Sequence, residues 1–216
     1  MASAAERRAR LAASRLYFVT DDPGVVPAAI TGGADLVQLR LKDARDAEVV
    51  AAGRDLGALC HERGVLFIVN DRPDLAAECG ADGVHVGQDD EPPESARATV
   101  GPDAIVGIST HSPEQIAAAE RSAADYIVVG PVWETPTKAG RPAVGLELVE
   151  HAAARIRRKP WFAIGGIDAS NVSAVADAGA TRIVVVRAIR DAPDPTAAAR
   201  ALLGALEREP VGGKAQ

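Results

Sequence analysis

Gly80-Ala81-Asp82-Gly83-Val84-His85-Val86-Gly87-Gln88-Asp89-Asp90 packs one structural unit into eleven residues. A Gly closing an Ala-rich segment supplies the left-handed cap on which a helix stops. The short β-branched run from Gly83 to Val86 then reads as a buried strand. Its C-terminal end opens at once into polar and acidic residues. The Gly-Ala pair before a strand recurs at Gly33-Ala34 and Gly179-Ala180, so the unit is repeated along the chain.

Working outward, eight runs have strand character: Leu16 to Thr20, Asp35 to Arg40, Leu66 to Asn70, Gly83 to Val86, Ala104 to Ser109, Tyr126 to Gly130, Trp161 to Ile164 and Ile183 to Val186. Between them lie amphipathic helical stretches, among them Arg45 to Arg63, Pro113 to Ser122, Leu146 to Arg158, Ala169 to Ala178 and Pro195 to Leu206. Strict β-then-α alternation specifies a parallel sheet. An open doubly wound sheet gathers its functional groups at one switch point, whereas here polar residues follow nearly every strand. That distribution predicts a closed (βα)8 TIM barrel with its site at the C-terminal mouth of the strands. The barrel is expected over 15–209 as a single domain, after an N-terminal helical extension at 1–14 and before a flexible tail at 210–216.

With 216 residues, 47% of them apolar, the chain is long enough to build one such barrel and its core. The net charge of −6 argues against nucleic acid and anionic membranes as partners, because both require a basic field. Small phosphorylated ligands fit if a local cluster of cations and backbone N–H groups exists, and homo-oligomerisation is compatible with the sequence. Cys60 and Cys79 have no metal-ligand spacing and read as buried, reduced thiols. With no stretch near the roughly 20 apolar residues of a membrane span, a cytoplasmic location is expected.

Five constellations carry chemistry. In Gln38-Leu39-Arg40-Leu41-Lys42 the strand period of two puts Gln38, Arg40 and Lys42 on one face, an arrangement suited to a polyanion. Asn70-Asp71 ends the third strand and Asp89-Asp90 follows the fourth, so Asp71 with either Asp89 or Asp90 is placed to share a cation. Magnesium suits this set, since it takes one or two carboxylates, waters and phosphate oxygens. His85 alternates with buried valines and reads as a packed, hydrogen-bonded histidine without a catalytic role. The loop Gly130-Pro131-Val132-Trp133-Glu134-Thr135-Pro136-Thr137-Lys138 offers two hydroxyls and a Lys among prolines, a preorganised anion site; Val132 to Pro142 is the candidate lid. Gly165-Gly166 and Val185-Val186-Arg187 end the seventh and eighth strands, where barrels of this kind bind phosphate.

QLRLK, VNDR, DGVHVGQDD, GIST, GPVWETPTK and AIGGI, in this order, resemble the thiamine-phosphate synthase family over nearly the whole chain. The resemblance implies a (βα)8 barrel that joins a hydroxymethylpyrimidine pyrophosphate to a hydroxyethylthiazole phosphate, with Mg2+ as cofactor. It implies that Gln38, Arg40, Lys42, Asn70, Ser109 and Lys138 hold the pyrimidine pyrophosphate, with Arg40, Lys42 and Lys138 acting catalytically on the leaving group. Asp71 and Asp90 would bind the metal, which selects Asp90 over Asp89. Thr135, Thr137, Gly165, Gly166, Val186 and Arg187 would hold the thiazole phosphate. Arg187 departs from the family pattern, which commonly has Ser there.

Three other readings compete. A thiazole tautomerase shares the barrel but has no need of the complete pyrophosphate set. A Schiff-base aldolase would require Lys42 or Lys138 with a depressed pKa, which nearby carboxylates oppose. A phospholigand sensor would be expected to have lost metal or cation positions.

Overall fold

In the computed structural model, residues 2–135 and 142–207 are described, and the chain alternates strand and helix as the sequence predicts. The strands are β1 (Leu16–Thr20), β2 (Leu36–Leu39), β3 (Leu66–Asn70), β4 (Gly83–Val86), β5 (Ile105–Thr110), β6 (Tyr126–Val129), β7 (Trp161–Ile164) and β8 (Ile183–Val185). All neighbouring pairs are parallel, and β8 returns to pair with β1 through Leu16↔Ile183, closing the barrel. The helices are α1 (Ala4–Ala13), α2 (Val26–Thr31), α3 (Asp46–Glu62), α4 (Pro73–Ala76), α5 (Pro93–Val100), α6 (Pro113–Arg121), α7 (Gly145–Arg155), α8 (Val172–Asp177), α9 (Arg187–Arg190) and α10 (Pro195–Leu206). None of the described helices is long and apolar enough to cross a membrane.

The strand period of two divides the core in two. Tyr17, Leu36, Leu66, Ile68, Ile105, Tyr126, Val128, Phe162 and Val184 point inward and fill the barrel. Their neighbours, among them Phe18, Val37, Phe67, Val84, Val106, Ile127 and Ile183, point outward against the helices. Gly107 is a fitted position: a Cβ there would lie 2.0 Å from Tyr126 Cζ, so the missing side chain is what admits the Tyr126 ring. The helix stops follow the Gly-Ala reading. Gly33, Gly80 and Gly179 all have left-handed φ, at 108°, 65° and 98°.

An acid precedes each of β2, β4 and β6, and each ties back to the preceding strand. Asp35 accepts the N–H groups of Arg15 and Leu16 at 2.8 and 3.1 Å, Asp82 that of Phe67 at 3.0 Å, and Asp125 that of Val106 at 2.8 Å. These bonds satisfy strand-end amides that have no ladder partner. β2 begins at Leu36, one residue later than the sequence predicts. Helix α1 lies across this end, with Leu11 buried and Arg7 and Arg8 reaching Asp82 and Asp125 at 2.9 and 3.0 Å. The N-terminal end is thereby covered, and the opposite end carries the polar loops.

Cys60 and Cys79 are free and buried. Burial pushes the Cys60 thiol up to about 12, with the nearby Asp82 carboxylate adding to the shift, so its thiolate is disfavoured near neutral pH.

Candidate active site

At the C-terminal mouth a cavity of about 370 Å³ is lined from nearly every strand end. Val19 and Gln38 form part of its wall, with Arg40 just beyond the end of β2. Asn70 ends β3, while His85 and Ser109 contribute from β4 and β5. The β6 loop adds Gly130, Pro131 and Thr135, and the β7 and β8 ends add Gly165, Gly166, Val186 and Arg187. Residues distant in sequence therefore converge because each strand delivers its next inward position to one rim.

The β7 side depends on its glycines. Gly165 and Gly166 have φ of 109° and 67°, and a Cβ on Gly165 would lie 2.4 Å from Pro131 Cα. That proximity lets the β6 loop bond directly to the end of β7: Val132 N–H donates to Ile164 O at 2.8 Å and Trp133 N–H to Gly165 O at 3.1 Å. The Gly130-Pro131 peptide is cis. Arg190 binds Asp21 at 2.9 Å and Asp191 at 2.7 Å, fastening the β8 loop to the β1 loop.

Charge around the cavity is uneven. Arg40 and Arg187 line it, and neither guanidinium makes a hydrogen bond or salt bridge to a described residue. Asp168 and Asp191 line it too, but Asp191 is engaged by Arg190 and held below the usual carboxylate range chiefly by that hydrogen bond. Two guanidiniums on one concave surface, neither salt-bridged to a described residue, are suited to bind an anion.

The two acids expected to hold a cation lie at this same end. Asp71 leaves β3 with a left-handed φ of 56°, and its N–H donates to His85 O at 2.8 Å. Asn70 Nδ2 donates to Asp71 Oδ2 at 2.5 Å. Asp90 folds back so that its Oδ2 accepts the Gly87 N–H at 2.8 Å. Because β3 and β4 are paired through Asn70↔His85, both carboxylates emerge from neighbouring strands. Among the described residues no three His, Cys, Asp or Glu side chains form a metal cage.

A protein-family model described as thiamine monophosphate synthase matches residues 16–189, from the first strand to the short helix after the eighth. The chain belongs to the thiamine monophosphate synthase family. A Thermus thermophilus relative named thiamine-phosphate synthase is 57% identical over 197 residues, covering 87% of this chain and 95% of the relative. A Mycobacterium bovis relative of the same name is 50% identical over 216 residues, covering 91% and 96%. Among solved structures, the thiamine phosphate pyrophosphorylase from Pyrococcus furiosus superposes with a TM-score of 0.84 at 34% identity, covering 93% of this chain and 98% of that one.

Of the residues that the resemblance to the thiamine monophosphate synthase family singles out, Gln38, Arg40, Asn70, Ser109, Thr135, Gly165, Gly166, Val186 and Arg187 all line the cavity. Lys42 does not. The strand ends at Leu39 and the chain turns through Asp43 at a φ of 61°, so the alternation that would align Lys42 with Gln38 and Arg40 stops, leaving Lys42 exposed. Asp71 and Asp90 stand outside the cavity lining, at its rim of loops. Thr137, Lys138 and most of the candidate lid fall outside the described residues.

Sequence reasoning read His85 as packed and hydrogen-bonded but missed the two phenols beneath the cavity. Tyr17 and Tyr126 are fully buried, and their hydroxyls meet in the barrel interior at 2.9 Å. His85 is bonded on both ring nitrogens, to Tyr126 and Ser109, and its ring lines the cavity. The available signal was a phenol at an inward strand position, since a buried hydroxyl requires a partner.

Proposed function

We propose that this chain joins a hydroxymethylpyrimidine pyrophosphate to a hydroxyethylthiazole phosphate in the cytoplasm, forming thiamine phosphate and releasing pyrophosphate. The observation that carries this reading beyond family membership is the pair Arg40 and Arg187. Both guanidiniums line one cavity and neither is salt-bridged to a described residue, an arrangement suited to two phosphorylated substrates. In this reading Gln38, Arg40, Lys42, Asn70, Ser109 and Lys138 hold the pyrimidine pyrophosphate. Thr135 and Thr137, with the backbone at Gly165, Gly166, Val186 and Arg187, hold the thiazole phosphate.

In this reading two bonds change in succession. The carbon–oxygen bond between the pyrimidine methylene and pyrophosphate breaks first, the electron pair leaving with pyrophosphate and the cation delocalising into the aminopyrimidine ring. The thiazole nitrogen then attacks the methylene carbon. No protein nucleophile is needed, and the cations Arg40, Lys42 and Lys138 act by stabilising charge that grows on the leaving group. The hard oxygen donors of Asp71 and Asp90, set on neighbouring strands, fit Mg2+, which takes few carboxylates beside phosphate oxygens and water. Bound there, the ion would neutralise pyrophosphate charge.

The test is reconstitution. Purified protein, both phosphorylated halves and Mg2+ are mixed, then each component is omitted in turn. Thiamine phosphate and pyrophosphate should form in equal amounts only in the complete mixture. Isomerisation of the thiazole phosphate without coupling would overturn the proposal in favour of a tautomerase.

A further inference from the structure

The floor of the cavity is a hydrogen-bonded chain running across the barrel. Gln38 Nε2 donates to the Tyr17 hydroxyl at 2.6 Å, and the Tyr17 and Tyr126 hydroxyls are 2.9 Å apart. The Tyr126 hydroxyl lies 3.0 Å from His85 Nδ1, and His85 Nε2 lies 2.9 Å from Ser109 Oγ. All five residues are buried, and Gln38, His85 and Ser109 line the cavity.

Proton counting orders this chain. Each phenol has one proton to give, and burial pushes both phenols well above their ordinary range, so both keep it. Tyr17 receives from Gln38, and its only other partner among the described residues is Tyr126. Tyr17 must therefore donate to Tyr126, or its proton is buried without an acceptor, a costly outcome. The Tyr126 proton then goes to His85 Nδ1. A His that accepts at Nδ1 carries its proton on Nε2, which donates to Ser109 Oγ.

We infer that this one-way relay makes His85 a positioning residue: locked as the Nε2–H tautomer, it occupies a lone pair of Ser109 Oγ and turns the serine proton toward a substrate phosphoryl oxygen. At the other end Gln38 lines the cavity, and its Oε1, which makes no hydrogen bond to a described residue, is left as an acceptor. A single order thus sets an acceptor on the β2 side and a donor on the β5 side. The identities of the ligand atoms rest on the proposed function, while the tautomer does not.

The tautomer is read by nitrogen NMR of the full chain labelled with 15N-histidine, the His85 signals being assigned by their loss in His85→Gln. An Nε2–H resonance with an unprotonated Nδ1 is expected, and an Nδ1–H resonance would overturn the relay. A kinetic cycle tests the route through Ser109. His85→Leu should lower kcat about 10-fold with KM nearly unchanged, as loss of one buried hydrogen bond implies. It should lower kcat little further in a Ser109→Ala background, because residues acting as one unit are non-additive. His85→Gln, whose amide can still donate to Ser109, should recover part of the loss. Additive losses, or equal losses in the Gln and Leu variants, would contradict the positioning role. If the parent shows the Nε2–H tautomer but fails to couple the two substrates, the substrate reading fails and the relay stands.

Discussion

The N–H of Asp71 donates to the carbonyl of His85 at 2.8 Å, extending the β3–β4 ladder one residue past Asn70 while Asp71 itself turns left-handed at a φ of 56°. A non-glycine residue held there is strained by up to about 1–2 kcal/mol, although Asp tolerates the region better than most. Strain at a loop that carries function invites a separation of stability from activity. Asp71→Gly should unfold at the same denaturant concentration as the parent or a higher one, yet lose about 100- to 1,000-fold in kcat, the typical cost of removing a preorganised electrostatic group. Denaturant titration and steady-state coupling assays on the same preparation check both halves. A variant that couples normally would remove Asp71 from the site.

Arg187 tests the phosphate corner. It begins α9, lines the cavity beside Gly165 and Gly166, and makes no salt bridge to a described residue. Arg187→Ser should raise KM for the thiazole phosphate about 3- to 10-fold and leave KM for the pyrimidine pyrophosphate unchanged, as expected for one solvent-accessible charge-assisted hydrogen bond. Raising salt should narrow the difference between variant and parent.

Gly165 tests the backbone of that corner. A Cβ there would meet Pro131 Cα at 2.4 Å while the residue keeps a φ of 109°. Gly165→Ala should destabilise the fold by roughly 2 kcal/mol or more, through strain and the parting of the β6 loop from β7. Thermal unfolding should show a lower midpoint, and affinity for the thiazole phosphate should fall with it.

Asp35 gives a pH signature remote from the mouth. Burial raises its pKa to about 6 against an ordinary 3.8, outweighing the N–H groups of Arg15 and Leu16 that favour the charged form. Because the folded pKa lies above the unfolded one, the native state binds the extra proton between the two values. The contribution of Asp35 to stability is therefore largest below about pH 4, falls as pH rises to about 6 and is flat beyond. The linkage amounts to at most about 3 kcal/mol for a shift of this size. Asp35→Asn, which cannot titrate, should gain in stability relative to the parent as pH is raised from 4 to 7. Denaturant melts at both values measure this, and a constant difference would contradict the raised pKa.

The strand pattern was legible because eight short apolar runs alternate with amphipathic stretches, three of which stop at Gly-Ala caps just before a strand; β1, β3, β4 and β7 coincide with the sequence-predicted bounds. Asp35 falls one residue before β2, although its main chain still bonds Leu16 O and Leu66 N–H, and its carboxylate caps the amides at the start of β1. At the site, residues at strand ends were readable from position alone, since a barrel delivers every strand end to one rim. Lys42 was not, because a turn two residues past the strand breaks the alternation. The Tyr17–Tyr126–His85 floor was hidden for a different reason: its partners come from three strands far apart in sequence.

The most direct measurement of the central claim is the initial rate of thiamine phosphate formation by metal-stripped protein at saturating pyrimidine pyrophosphate and thiazole phosphate, as Mg2+ is titrated back. The account requires a rate near zero without the ion and a saturable rise on its return, with pyrophosphate appearing in step with product. Product formation that is already maximal in the presence of a chelator would contradict it.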